Sequence, residues 1–305
     1  MTRRAAHRMD QDRLGVLVVG MHRSGTSAVT RAVNLLGVPL GLSSDRLPAS
    51  PSNKPGHWES TSLVALNDSV LHALGRSSWC PPPLDIWAGG PRAAAGPTPR
   101  RARLLLQRVH PTRQWVWKDP RTSLTLPFWL AALHDVPVAI VLAVRHPMEV
   151  AVSLHKRDGT PVEVGLCMWE RYVRHALAAA AGLPVLITHY DRLLADPVAW
   201  AQRAAGFLTP LGARITWQPG WENGLRSFIQ PGLRHEIAPR ADRAEAATAH
   251  LDTVHDALRQ YDGPVRSFRP PDLPPEDPRV EQRLLHHARG GRPQSIPGRA
   301  PGTAR

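Results

Sequence analysis

The chain has 305 residues, 42% of them hydrophobic, and a formal net charge of +13. That length and apolar content suffice for one large α/β domain or two small ones, and they exclude disorder throughout. Lys54, Lys118 and Lys156 are the only lysines, so arginine carries nearly all of the positive charge. A basic surface attracts polyanions of any kind, and charge alone does not choose between nucleic acid, an anionic lipid surface and a small phosphorylated ligand. Cys80 and Cys167 are the only cysteines, too few for a disulfide framework and without metal-ligand spacing, which fits a reduced, intracellular chain. Residues 1–12 are a polar lead, and the apolar run from Val16 to Val19 is far too short for a signal or membrane segment. The expectation is a soluble, cytoplasmic protein.

In chain order, Leu14–Gly20 reads as a buried strand, a continuous β-branched-rich run closed by glycine. Ser27–Leu36 follows as a helix, with Ala28, Ala32, Leu35 and Leu36 at helical spacing and Gly37 and Pro39 as its stop. Cys80–Arg101 is rich in Pro, Gly and Ala and reads as an exposed loop or lid. Trp115–Lys118, Val138–Val144 and Val185–His189 read as further strands, and Glu149–Arg157, Glu163–Ala181 and Val198–Leu208 as helices, the last with Pro197 at its first turn. Strands alternating with helices predict an α/β fold: a mostly parallel central sheet with helices on both faces, of the P-loop nucleotide-binding kind. One domain is expected over 13–265, with the Pro/Gly/Arg-rich stretch 266–305 as a largely disordered tail.

The segment Gly20-Met21-His22-Arg23-Ser24-Gly25-Thr26-Ser27 joins the first strand to its helix. Backbone N–H groups converge at such a turn, and the helix dipole favours an anion there. A Walker A loop would end in Gly-Lys-Ser/Thr, whereas here Thr26 follows Gly25 and the only nearby cation is Arg23, inside the loop. ATP hydrolysis normally relies on that lysine together with magnesium, so its absence argues against a nucleoside triphosphatase. A second anion site follows the third strand: Arg145 sits at its carboxyl end, where open α/β sheets bind ligands, and Ser153 lies eight positions later, about two helical turns on. Together they are expected to grip one phosphate, the guanidinium as a planar fork and the hydroxyl as an added donor.

The loop Arg23-Ser24-Gly25-Thr26 resembles the 5′-phosphosulfate loop of sulfotransferases that use 3′-phosphoadenosine 5′-phosphosulfate (PAPS), and Arg145 with Ser153 resembles their 3′-phosphate motif. The similarity is nearest to the tyrosylprotein and carbohydrate sulfotransferases and covers about Leu14 to Leu208. It implies that His22, Arg23, Ser24, Gly25, Thr26 and Ser27 cradle the 5′-phosphate, with Arg23 facing the sulfonate. It implies that Arg145, Ser153 and Arg157 contact the rest of the cofactor, and that no metal is required. Lys118, in the Lys118-Asp119-Pro120-Arg121 segment, corresponds to a lysine against the transferring group. Asp119 either holds that lysine or caps a neighbouring turn, and Arg121 is a candidate for cofactor or acceptor. Glu59, in Gly56-His57-Trp58-Glu59, is the positional match to the family's glutamate base, with His57 and His110 as alternatives. Tyr190 either contacts the adenine or stacks in the core. Arg234 belongs to a late basic segment expected to fold over the cofactor. The two anion cradles are expected on one sheet edge, an adenosine bisphosphate apart.

The implied reaction moves a sulfuryl group from PAPS to a hydroxyl or amine of a carbohydrate, glycolipid or small metabolite, leaving adenosine 3′,5′-bisphosphate. Tryptophans such as Trp58, Trp79, Trp87, Trp115 and Trp117 are either acceptor-stacking platforms or core. Two rivals stand beside this reading: an ATP-dependent phosphotransferase with an atypical loop, and a non-catalytic polyanion binder. The second leaves the placement of three cationic motifs at strand ends unexplained, so no nucleic-acid partner is expected.

Overall fold

The computed structural model describes residues 13–49, 56–90, 96–217, 219–230, 232 and 246–290, with side chains from 249 onward in the last segment. Five strands form one sheet in the order β2-β1-β3-β4-β5, where β1 is Leu14–Val19, β2 Gln114–Lys118, β3 Val138–Val144, β4 Val185–His189 and β5 Gly263–Val265. The first four are parallel and β5 is antiparallel to β4. The fold is thus α/β, as the alternation of patterns predicts.

The strands are apolar on both sides because both faces are covered. Along β1, Leu17 and Val19 join one core, while Leu14, Val16 and Val18 join the other. This is the period-two alternation of a strand in which every position is buried. The second core is closed by α1 (Thr26–Leu35), α7 (Tyr190–Ala195), α8 (Pro197–Leu208) and α9 (Trp221–Phe228). The larger first core is closed by α2 (Thr61–Ala73), α3 (Pro99–Val109), α4 (Thr122–Ala132), α5 (Pro147–Asp158), α6 (Val162–Ala179), α10 (Ala246–Arg259) and α11 (Arg279–Arg289). Several of these helices carry their own start signals: Ser60, Thr98, His146 and Asp196 each accept a backbone N–H of the first turn, and Pro99, Pro147 and Pro197 occupy first-turn positions.

Parallel pairing puts the carboxyl ends of β1 to β4 on a single edge. The chain leaves β1 toward β2 on one side and reaches β3 on the other, so the strand order reverses between β1 and β3. In doubly wound sheets, ligands enter the crevice at that reversal. The Gly20–Ser27 loop and Arg145 flank it here.

Two expectations are corrected. Residues 266–290 are folded: Phe268, Val280 and Leu284 are buried in the first core, and buried Arg171 of α6 pairs with both Glu276 and Glu281. The composition of this stretch hides a few well-spaced apolar side chains that suffice to dock it; residues 291–305 lie outside the described residues. The Cys80–Arg101 stretch is also not an exposed loop throughout. Cys80 is buried, the carbonyls of Pro81 and Pro82 meet Arg171 and His175 of α6, and Trp87 Nε1 donates to the Leu124 carbonyl, while residues 91–95 lie outside the described residues. Pro99–Arg101 form the first turn of α3.

A chain ending at Val265 should therefore lose most of its stability. Stripping a buried charge of its partners costs about 3–5 kcal/mol, and Phe268→Ala alone should cost about as much. Urea unfolding measures both; an unchanged midpoint on truncation would show the segment to be dispensable.

Candidate active site at the carboxyl edge

The loop after β1 takes its shape from two glycines and one strained arginine. Gly25 has φ +88°, and a Cβ there would run into the Tyr190 ring. Gly20 has φ +144°, with the Ala143 carbonyl where a Cβ would stand. Arg23 itself adopts φ +67°, a conformation that non-glycine residues hold only when their surroundings enforce it. Gly20 N–H donates to Ser123 Oγ at 2.9 Å, tying the loop to α4. Helix α1 then opens with no acidic residue in its first turn and no side-chain cap, so the positive end of its dipole faces the loop. Ser24 and Thr26 are buried, and Ser27 Oγ donates to the His57 carbonyl at 3.3 Å.

Arg23 Nε donates to Ser153 Oγ at 2.9 Å, and Arg145 Nη1 donates to the Arg23 carbonyl at 3.1 Å. The two anion motifs therefore touch, the Arg23 side chain reaching across to Ser153 and Arg145 reaching back to the loop backbone. Helix α5 is the reason: it carries Ser153 and Arg157 back beside the loop. Arg145 is further held by Glu149, its partner one turn along, at 2.8 Å, and its guanidinium lies 5.2 Å above the Tyr190 ring. Tyr190 is itself buried against Gly25. Arg157 stacks on Trp79, 5.2 Å from the ring, and pairs with Asp158 at 2.7 Å. Burial, then Arg157 and Arg145, pull the Arg23 guanidinium below its ordinary proton affinity. Like charges crowd here, and an incoming anion would relieve them.

Lys118 ends β2 and forms a buried ion pair with Glu59. Arg121 approaches the same carboxylate at 3.9 Å and binds Asp119 at 3.1 Å and Asp68 at 2.6 Å. Burial lowers Arg121, but Asp119, Asp68 and Glu59 outweigh it and raise the guanidinium above its usual value. Asp119 is wholly buried, accepts from Asn67 and from the backbone and side chain of Arg121, and is pushed up by burial. Asn67 is saturated: it donates to Asp119 and Thr122 and accepts from Thr125 and Trp129. Asp119 thus braces Arg121 and α2, with no contact to Lys118 among the described ones. Lys118 and Glu59 are presented on a rigid frame.

His22 stacks on Trp79 with ring centroids 5.8 Å apart and meets Tyr172 edge-on at 5.7 Å. Its Nε2 is buried with no partner among the described residues. Burial first, then Arg121, Arg157, Lys118 and Arg23, hold it well below 6.5, so it stays neutral near pH 7. His57 lies in the same field: burial, then Lys118, Arg157 and Arg23, lower it to about 4. His110 does not belong to this group. It is buried against Trp115, and burial lowers it to about 4. Trp115 and Trp117 are core residues. Arg234 lies outside the described residues.

The sequence reading missed Ser123, Asn67, Asp68, Glu149 and Tyr172. Only Glu149 had a local signal, four positions beyond Arg145 in the first turn of α5.

The fold and site define an α/β protein with a P-loop-like strand–loop–helix unit at the topological switch of its sheet, ringed by arginine and lysine. No family model matches the chain, and no curated protein matches it. Among solved structures it is similar to the sulfotransferase domain from the Synechococcus PCC 7002 olefin synthase, at 17% identity and a TM-score of 0.44, over 78% of this chain and 93% of that one. It is also similar to the sulfotransferase domain from the curacin biosynthetic pathway, at 14% identity and a TM-score of 0.38, over 90% and 96%. Overlaps this loose leave the chemistry to be read from the side chains. Among the described residues no helix is long and apolar enough to cross a membrane, and no group of His, Cys, Asp and Glu is arranged to hold a metal ion.

The buried histidines make stability pH-dependent. His110 and His175, both lowered to about 4 by burial, take up protons in the unfolded chain near 6.5 but not in the folded one. Their stabilisation is complete above pH 6.5 and lost as pH falls toward 4, by roughly 3 kcal/mol apiece. Urea midpoints at pH 7.5 and 4.5 should show this loss, and His110→Phe should remove its share of the slope.

Proposed function

We propose that the protein is a sulfotransferase that moves a sulfuryl group from PAPS to the hydroxyl or amine of a small-molecule or glycan acceptor. The observation that carries the reading is the meeting of Arg23, Ser153 and Arg145 at the β1/β3 reversal, beside the buried Lys118–Glu59 pair. One cluster offers anion-binding groups for a doubly phosphorylated nucleotide, the other an ammonium and a carboxylate for the transfer itself. A nucleotide donor also fits a loop with backbone in left-handed conformations at a helix start, where N–H groups collect around phosphate.

In this reading the 5′-phosphosulfate occupies the Gly20–Ser27 loop with Arg23 against it, and Arg145 and Ser153 take the 3′-phosphate. Arg157, backed by Trp79, and His22 complete the cofactor wall. The acceptor oxygen attacks sulfur, the bond from sulfur to the bridging phosphate oxygen breaks, and adenosine 3′,5′-bisphosphate keeps that electron pair. Glu59 takes the acceptor's proton. Lys118 and Arg23 stabilise charge on the sulfuryl and bridging oxygens, so the protein supplies positioning and electrostatics. His57, neutral and beside Lys118, is the alternative proton acceptor. A cytoplasmic setting fits the free, buried Cys80 and Cys167.

Adenosine 3′,5′-bisphosphate should raise the melting temperature where ATP with magnesium does not; the reverse result would favour a phosphotransferase. Arg145→Ala should weaken the bisphosphate by about 10- to 100-fold, the worth of a charged hydrogen-bonded contact, while adenosine 5′-phosphate binding changes little. With labelled sulfate from PAPS, Lys118→Ala should lower kcat by about 10²- to 10³-fold. Glu59→Gln should do so by about 10²- to 10⁴-fold; full activity in that variant would pass the role of base to His57.

A further inference from the structure

Trp58 stands between His57 and Glu59, and its backbone is in the left-handed region at φ +58°, unusual for so bulky a residue. Two guanidinium groups stack on its indole: Arg31, from the second turn of α1, at 5.2 Å from the ring centroid, and Arg46 at 5.4 Å. Phe228 of α9 closes one edge of the ring at 6.3 Å. The indole Nε1 is buried and has no partner among the described residues.

Neither arginine has a carboxylate partner among the described residues. Arg31 donates to the side-chain oxygen of Asn34, and Arg46 donates to the Gly41 carbonyl at 3.3 Å. Asp45, next to Arg46 in the chain, is engaged instead by Ser60 and by the backbone N–H and hydroxyl of Ser62. Burial, and then the charge of Arg46, lower the proton affinity of Arg31. The indole attracts both cations but neutralises neither. Two planar forks of donors thus converge on one aromatic platform with their charge uncompensated, the arrangement that binds carboxylate or phosphate oxygens.

We propose that Arg31 and Arg46, stacked on Trp58, form a subsite for an oxyanion of a substrate: a carboxylate, phosphate or sulfate. The proposal deepens the sulfotransferase reading and rests on it for the word substrate. The backbone links the subsite directly to both sides of the reaction centre. The His57 carbonyl accepts from Ser27 of the loop, and Glu59 pairs with Lys118. The oxyanion comes either from the acceptor, which is then an acidic sugar or carboxylated metabolite, or from a phosphate of the nucleotide donor, which then sits here instead of at the loop or at Arg145 with Ser153.

Ligand-observed NMR on the full chain separates these sources, with D-glucuronate, neutral methyl α-D-glucoside and adenosine 3′,5′-bisphosphate as probes. For an acceptor oxyanion, glucuronate should bind more tightly than the glucoside, and Arg31→Gln and Arg46→Gln should each weaken it about tenfold. Arg31→Lys should keep part of the affinity, and bisphosphate binding should not move. For a donor phosphate, the glutamine variants should weaken the bisphosphate about tenfold and leave glucuronate no better than the glucoside. Unchanged affinity for both anions in both glutamine variants would overturn the subsite. Should Arg46→Gln fail to fold, having lost its bond to Gly41, Arg31→Gln decides alone. If the bisphosphate binds nowhere while glucuronate binding still depends on the arginines, the subsite stands and the sulfotransferase reading falls.

Discussion

Arg23, Lys118, Arg121, Arg145 and Arg157 are gathered at the carboxyl edge of one sheet, and their mutual repulsion is the constraint around which the rest is arranged. A pair of like charges about 6 Å apart costs roughly 3 kcal/mol at an effective dielectric of about 20. The fold offsets this unevenly. Arg121 is enclosed by Asp119, Asp68 and Glu59 and becomes a structural cation. Arg145 pairs with Glu149, and Arg157 with Asp158. Arg23 donates to the Ser153 hydroxyl, and its proton affinity is lowered by burial and by Arg157 and Arg145. At the loop, α1 adds the positive end of its dipole to these charges.

The same crowding sets the state of the histidines. His22 and His57 are kept neutral first by burial and then by the surrounding cations, which leaves acceptor nitrogens in a cationic pocket. Rigid support comes from the larger core. Asn67, with all of its side-chain hydrogen-bonding groups used, locks α2 to α4 and fixes Asp119 and Arg121. Lys118 and Glu59 sit on that frame, from a strand end and a loop respectively.

Much of the sheet was legible because a fully buried parallel strand writes itself as a run of Val, Ile and Leu. Leu14–Gly20, Trp115–Lys118, Val138–Val144 and Val185–His189 all lie where strands form, and the four helices read from spacing differ by at most two residues at either end. β5, with three residues, left no such run. Helix α11 was hidden by Pro, Gly and Arg around Val280 and Leu284, since a short docked helix needs only a few apolar contacts. In the site, Lys118 and Arg145 were singled out by their places at strand ends, and Arg23 by its place inside the loop. The contact of Arg23 with Ser153 was not, because it depends on how α5 crosses the loop. The Arg31–Trp58–Arg46 stack joins a helix and two loops, and spacing carries no trace of it.

The most direct measurement is a crystal structure of the full chain with adenosine 3′,5′-bisphosphate. The account predicts the 5′-phosphate in the Gly20–Ser27 loop against Arg23, and the 3′-phosphate within hydrogen-bond distance of Arg145 and Ser153. A nucleotide bound away from the β1/β3 reversal, or one whose phosphates point to solvent while Arg145 stays closed on Glu149, would contradict it.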